Sequence, residues 1–204
     1  YSATVTASDG TNSAEQAITV SINNLNDNSP VITSDALFST DENDISFGSV
    51  EATDADNDTL TYSVTGTEII IVPATGGMYF DSPPDYETQT SYSATVTVSD
   101  GSNTVDQVIT VSINDLDDEA PSFTSSSSFS ADENVQAGTA IGTVTATDAD
   151  TDDSSIVFSI SGSDISIDSS TGVMTFNSAP DYETQTSYSA TVTASDGTNS
   201  AEQA

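Results

Sequence analysis

The sequence contains no lysine, arginine, histidine, cysteine or tryptophan. Each absence closes a line of chemistry. Without cations the chain cannot neutralise phosphates, which excludes nucleic-acid binding. Its 33 acidic residues give a net charge of -33, and an anionic membrane surface would repel it for the same reason. No cysteine means no disulfide, no thiol nucleophile and no zinc–thiolate centre. No histidine removes the commonest general base and a common transition-metal ligand. There is no apolar run long enough to span a membrane and no segment that reads as a signal peptide.

What remains is oxygen: carboxylates, hydroxyls, amides and carbonyls. Oxygen-only ligands suit hard cations, calcium above all. Hydrophobic residues make up 34% of the chain, and low hydrophobicity with high charge is a signature of disorder. The order of the apolar residues argues against it. Tyr92, Ala94, Val96 and Val98 alternate with Ser and Thr, as do Ile109, Val111 and Ile113. That alternation predicts half-buried strands in residue types that favour them.

Residues 1–17 and 188–204 are identical, and a diverged copy starts at Tyr92, so the starts lie 91 and 96 residues apart. The exact repeat of 187 residues therefore holds two modules, the mark of duplication within an array. The array is expected to continue through both ends. The alternative is a short subunit in which residues 18–22 complete the sandwich of another copy, with the duplicated 1–17 segment arguing against it. The modules differ in length only where loops are expected. In the second module strands are predicted at 125–131, 139–147, 156–161, 164–167, 173–176 and 187–195, with a last one from about 200. Turn signals separate them, including the 148–154 run, Thr171-Gly172 and Asp196-Gly197. About seven strands per module and no helical period predict an all-β array of immunoglobulin-like Greek-key sandwiches, set end to end. The expected divisions are 1–28, the last two strands of a preceding module; 29–119, a complete module; and 120–204, a module lacking most of its final strand.

The acids recur at matched module positions. Asp41-Glu42-Asn43 and Asp132-Glu133-Asn134 follow the first strand, and Asp54-Ala55-Asp56 and Asp148-Ala149-Asp150 end the second. Asp85-Tyr86-Glu87 and Asp181-Tyr182-Glu183 precede the sixth, while Asp9, Asp100 and Asp196 sit in Ser-Asp-Gly turns after it. Asn24-Leu25-Asn26-Asp27-Asn28-Ser29-Pro30 and Asp115-Leu116-Asp117-Asp118-Glu119-Ala120-Pro121 form the module junctions.

This set resembles the cadherin repeat family. The family carries Glu-Asn, Asp-x-Asp, Asp-x-Glu, Ala-x-Asp-x-Gly and Asp-x-Asn-Asp-Asn-x-Pro motifs in this order. The Asp-Tyr-Glu and Ser-Asp-Gly-Thr-Asn phrases are most similar to bacterial cadherin-like repeats of giant surface adhesins and extracellular filament proteins. The resemblance implies calcium held between modules. One complete junction would take Glu42, Asp85 and Glu87 from the module before it and Asp115, Asp117, Asp118 and Glu119 from the linker. Asp148, Asp150 and Asp196 would come from the module after it. A partial second junction would use Asn24, Asn26, Asp27, Asn28, Asp54, Asp56 and Asp100. A third would use Glu133, Asp181 and Glu183. Glu119 departs from the family's Asn, and Asn24 from its Asp, so the 24–28 linker is expected to bind more weakly.

Blander readings stand beside this one. Acidic turn residues are often merely solvated. A helix–loop–helix calcium loop starting at Asp54 fails, because its sixth and twelfth positions are Thr59 and Thr65. Asn57-Asp58-Thr59 matches a glycosylation sequon in what reads as the same acidic loop. Asp85 and Glu87 could pair as in a glycosidase, but a duplicated array without Trp argues for no enzyme. The expected role is a calcium-stiffened structural rod, secreted or at a cell surface and bacterial, touching neighbouring repeats of its own chain and other copies in a fibre. The alternative is an interaction module binding partner chains or surface polysaccharide in cell adhesion or a biofilm matrix.

Overall fold

The computed structural model describes residues 1–150 and 155–204, and its described elements are all β-strands. The chain divides into two compact units. The first holds Tyr1–Phe38, Ile45–Ser82 and Tyr92–Ser112; the second holds Ser39–Asp44, Pro83–Ser91 and Ile113–Ala204. The loops after Thr40 and around Asp85 are thus compact with the 115–119 linker.

The first unit opens with an antiparallel ribbon of β1 (Ser2–Ser8) and β2 (Ser13–Thr19), paired Ala3 to Ile18 and Val5 to Gln16. Every residue of the ribbon is exposed. Next come β3 (Val31–Ile32), β4 (Leu37–Asp41), β5 (Ser46–Ser49), β6 (Ala52–Thr53), β7 (Thr61–Val64), β8 (Ile69–Ile71), β9 (Gly77–Phe80), β10 (Ser91–Ser99) and β11 (Thr104–Asn114). They build a four-stranded sheet in the order β4-β11-β10-β7, a three-stranded sheet β5-β9-β8 and the pair β3-β6. Thr110 N–H donates to the Ala36 carbonyl at 2.9 Å and Glu42 N–H to that of Asn114 at 3.1 Å. Partners rise together in number, so β4 runs parallel to β11. Alternation places Val96 and Val98 of β10 and Ile109 and Val111 of β11 fully inside, against Val50, Met78 and Phe80 in the same core.

The second unit repeats the plan with β12 (Ser122–Phe123), β13 (Ala140–Thr143), β14 (Ala146–Thr147), β15 (Val157–Ile160), β16 (Ile165–Ile167), β17 (Val173–Phe176), β18 (Val192–Ser195) and β19 (Ser200–Gln203). Its sheets are β13-β17-β16, β15-β18-β19 and the pair β12-β14. Val144, Ile156, Phe158, Met174, Val192 and Ala194 form the core, with Phe123 and Ile141 packed on it. Two turns demand glycine. Gly76 (φ 71°) and Gly172 (φ 67°) hold matched places, where a Cβ would lie 2.2 Å from the Val50 carbonyl oxygen and 2.1 Å from that of Val144.

Three strand expectations are corrected here. Residues 125–131 form no strand. Their counterpart β4 is a strand because it pairs with β11, whereas β19 is four residues long and pairs with β18 alone. For the same reason the expected 187–195 strand is regular only from Val192. The expected 139–147 strand breaks into β13 and β14, where Val144 N–H turns to the Gly172 carbonyl at 2.9 Å. Part of the expected 148–154 turn lies outside the described residues.

Candidate metal centre

In the second unit the acidic motifs converge. Asn43 takes a left-handed conformation (φ 65°), which Asn tolerates better than most residues. Its N–H donates to the Pro84 carbonyl at 2.9 Å. That bond ties the Glu-Asn loop to the Asp85 loop. Glu42 is 2% exposed. Its Oε2 accepts the Tyr86 N–H at 2.9 Å and its Oε1 the Leu116 N–H at 2.8 Å, so one buried carboxylate joins the loop to the linker. Asp85 caps its own turn by accepting from the Thr88 N–H and hydroxyl, both at 3.0 Å.

Carboxylate oxygens of Glu42, Asp85 and Glu87 lie within 4.8 Å of one another, and so do those of Glu87, Asp118 and Asp150. Glu87 belongs to both groups. Asp150 Oδ2 accepts the Asp118 N–H at 2.9 Å and the Glu119 N–H at 2.6 Å. Its Oδ1 is buried and receives no hydrogen bond from the described residues. Asp148 Oδ1 accepts the Asp150 N–H at 3.1 Å. Asp117 accepts from the Thr198 hydroxyl at 2.7 Å, and its carbonyl from Asn199 Nδ2 at 3.2 Å. Asp196 Oδ1 accepts the N–H groups of Thr198 and Asn199, each at 2.6 Å, while its buried Oδ2 has no donor. Glu119 enters through its backbone; its carboxylate is in neither group.

The charges here oppose one another. Withdrawal from water, then the negative charges of Glu42 and Asp150, push Glu87 up to about 7. Withdrawal from water also raises Asp115, helped by Asp150, Glu42, Asp118 and Asp117.

The 24–28 linker, in the first unit, shares the backbone plan but not the side-chain chemistry. Asp56 Oδ2 accepts the Asp27 N–H at 3.0 Å and the Asn28 N–H at 2.8 Å, as Asp150 accepts from 118 and 119. Here Asn28 Nδ2 also donates to Asp56 Oδ1 at 2.9 Å and to Asp27 Oδ1 at 3.0 Å. Asn24 Nδ2 donates to the Asp56 carbonyl at 2.7 Å and Asn26 Nδ2 to that of Asp100 at 3.3 Å. The Asn28 bonds lower Asp56. Backbone donation from Asn103 leads a set that holds Asp100, 8% exposed, down at about 2. Asp54, Asp56 and Asp58 bring oxygens within 4.8 Å of one another. Asp58 was not among the expected ligands. It is raised by withdrawal from water and by Asp54 and Asp56. The third acid of an Asp-x-Asp-x-Asp run was the signal for it.

Glu133, Asp181 and Glu183 also bring oxygens within 4.8 Å of one another, all exposed. Among the described residues Glu133 accepts only a long 3.3 Å bond, from the Tyr182 N–H. The Thr184 hydroxyl is the first cause lowering Asp181. Every group offers oxygen alone, and carboxylate oxygens that are buried and without donors among the described residues sit beside both linkers, at Asp54 Oδ2, Asp58 Oδ2, Asp150 Oδ1 and Asp196 Oδ2. That donor set fits a hard divalent cation.

Residues 127–204 match the Cadherin domain family. The chain is 32% identical to human Protocadherin Fat 1 over 212 residues, covering 96% of this chain. It is 33% identical to human Cadherin-23 over 153 residues, covering 71% of this chain. It spans 5% of the length of each of these relatives. Among solved structures it is similar to the crystal structure of human Protocadherin-24 EC1-2, with a TM-score of 0.70 at 24% identity, covering 86% of this chain and 92% of that one. The chain is therefore built of cadherin-like repeats with the tandem cadherin-domain fold.

Proposed function

We propose that this chain is a calcium-stiffened segment of a long extracellular repeat protein, a rod or filament whose modules are joined through their acidic linkers. The module divisions at 1–28, 29–119 and 120–204 belong to this reading. One observation carries it: Glu87 shares two groups of carboxylates that converge from the Glu42 loop, the 115–119 linker and Asp150. The sequence has no Lys, Arg or His to balance them. Close like charges cost free energy unless counter-charge enters. The groups that would hold calcium at this linker are Glu42, Asp85, Glu87, Asp115, Asp117, Asp118, Asp148, Asp150 and Asp196, with Glu119 adding charge beside them. Asn24, Asn26, Asp27, Asn28, Asp54, Asp56, Asp58 and Asp100 form the other linker's set, and Glu133, Asp181 and Glu183 the third. Bound calcium supplies positive charge and oxygen coordination; the residues supply the cage and its backbone tethers.

A stalk of a bacterial surface adhesin or a surface fibre suits the motif phrases, and cell adhesion suits the relatives' names. Calorimetric titration of the 204-residue chain tests the reading. Calcium should give saturable heat and raise the melting temperature, since a ligand of the folded state stabilises it by mass action, about 2.7 kcal/mol at a hundredfold excess over Kd. Asp118→Ala should weaken binding far more than Asp35→Ala, which lies outside every acidic group. No heat at millimolar calcium overturns the proposal.

A further inference from the structure

Matched edge strands in the two repeats present different surfaces. β8 ends the sheet β5-β9-β8 and β16 ends the sheet β13-β17-β16, each paired on one side. Their inward residues agree. Ile69, Ile71, Met78 and Phe80 in one, and Ile165, Ile167, Met174 and Phe176 in the other, turn to the core. Their outward residues differ: Ile70, Val72 and Tyr79 stand where the second repeat has Ser166, Asp168 and Thr175. Ile70 faces Tyr79 across the ladder, as Ser166 faces Thr175, and Val72 follows Ile70 on the same face. Val72 is 39% exposed and Tyr79 37%, with Ile70 half-buried beside them.

A sheet edge is a template for pairing with another chain, and charged outward residues guard against it. Asp164 and Asp168 bracket β16, with Ser166 between them, whereas β8 reads Ile-Ile-Ile and runs on into Val72 with one acid, Glu68, before it. Strand propensity does not account for the change, because β16 holds the same ladder with Ser and Asp. Asp168 also caps its turn, accepting the Ser170 and Thr171 N–H groups at 3.1 and 2.9 Å and the Thr171 hydroxyl at 2.9 Å. Val72 gives up all three bonds at the matched turn, where Pro73 presets the backbone. A capping acid exchanged for an exposed valine suits a pairing surface better than a solvated edge.

The ladder fixes which backbone groups face outward. Asp81 N–H donates to the Glu68 carbonyl at 2.9 Å and Val72 N–H to that of Gly77 at 2.8 Å. Residues 68, 70 and 72 therefore aim their backbone at β9, and Ile69 and Ile71 turn theirs to the open side. We propose that β8 of one copy pairs antiparallel with β8 of a second copy about a two-fold axis through Ile70, joining the copies side by side. Ile69 then exchanges both backbone bonds with Ile71 of the second copy, and Ile70 meets Ile70. Glu68 falls beside the second copy's Val72, so no acid in the strip opposes another, and two chains of net charge -33 can approach there. Ile70, Val72 and Tyr79 of both copies line up as one apolar stripe of cross-strand neighbours. This goes beyond the calcium reading and does not depend on it.

Sedimentation velocity of the 204-residue chain in EDTA and about 1 M NaCl tests this, with calcium removed and charge screened beyond about 3 Å. Dimers should appear as concentration rises and grow no further, because a two-fold contact closes on itself. Ile70→Ser combined with Val72→Asp installs the residues of the guarded edge and should leave a monomer. Thermal melts establish that each variant is folded. The chain has no cysteine, so Ile70→Cys reports the register directly. It should oxidise to a disulfide-linked dimer, since Cα atoms at such a pair lie about 4.5 Å apart. Val72→Cys, which faces residue 68, should not. A monomeric parent chain, dimers that survive I70S with V72D, or cross-linking of V72C as fast as I70C would each overturn the proposal.

Discussion

The 24–28 and 115–119 linkers share one backbone arrangement and resolve its charge to different degrees. In both, a single aspartate oxygen, Asp56 Oδ2 or Asp150 Oδ2, gathers two successive linker N–H groups. The difference sits in the side chains. Asn28 sends its amide to Asp56 Oδ1 and Asp27 Oδ1. The Glu119 carboxylate, at the matched position, has no hydrogen to give, and Asp150 Oδ1 is left buried without a donor among the described residues. The first linker satisfies Asp56 through Asn28 but leaves Asp54 Oδ2 and Asp58 Oδ2 without donors among the described residues; in the second, Asn43 Nδ2 donates to Asp118 Oδ2 at 2.6 Å, while Asp150 Oδ1 receives nothing from the described residues. Three amides in one linker, Asn24, Asn26 and Asn28, stand where the other has Asp115, Asp117 and Glu119, and the change at 28/119 is the one that falls on the paired aspartate.

The largest contrast expected concerns the two Glu-Asn motifs. Glu42→Ala removes a buried carboxylate and strands the Tyr86 and Leu116 N–H groups, which should cost about 3 kcal/mol. Glu133→Ala, at the exposed counterpart, should cost under about 0.5 kcal/mol. Urea melts of the two variants compare them, and equal losses would break the distinction.

Next comes affinity. With fewer carboxylates, and Asp27 and Asp56 already holding the Asn28 amide, the 24–28 linker should bind calcium about tenfold more weakly than the 115–119 linker. Titrations of Asp27→Ala and Asp118→Ala proteins separate the sites, and equal affinities would show that amides and carbonyls compensate. Smaller again is the exchange of the deciding residue. Glu119→Asn should place a donor beside Asp150 Oδ1, stabilise the calcium-free protein by about 1 kcal/mol and weaken calcium binding.

The smallest effect is in pH, where the linkers should oppose each other. Glu87 is raised in the folded protein from 4.5 to about 7. Its contribution is therefore full below pH 4.5 and lost as pH climbs to about 7. Asp100 is depressed from 3.8 to about 2, so its contribution is present above pH 3.8 and lost as pH falls towards 2. Melting of the calcium-free protein should drop by a degree or two between pH 4.5 and 7, and Glu87→Gln should remove that slope while leaving the acid limb.

Much of this was legible in the residues. Alternation in β10 and β11 marked the buried face, and the matched acidic motifs marked the loops that converge on Glu87. Asn in the Glu-Asn motif had a conformational reason, its positive φ, that the pattern alone did not reveal. What sequence missed depends on partners distant in the chain. Residues 125–131 have a strand composition, yet a strand exists only where another edge completes its ladder, and β19 offers 125–131 none. Asp58 was overlooked because the Asp-x-Asp motif stops two residues short of it. Glu119 stood out as a departure; that its effect falls on Asp150 Oδ1 required the fold.

The parallel pairing of β4 with β11 has a mechanical consequence. Chain entering at β4 and leaving from β11 places its two ends at opposite extremes of one ladder. Tension between them loads the bonds from Ala36–Thr110 to Glu42–Asn114 together in shear, instead of opening them one after another as in a peeled hairpin. Rupture then requires the whole ladder to slip at once, so this repeat resists stretching through its outermost pair of strands.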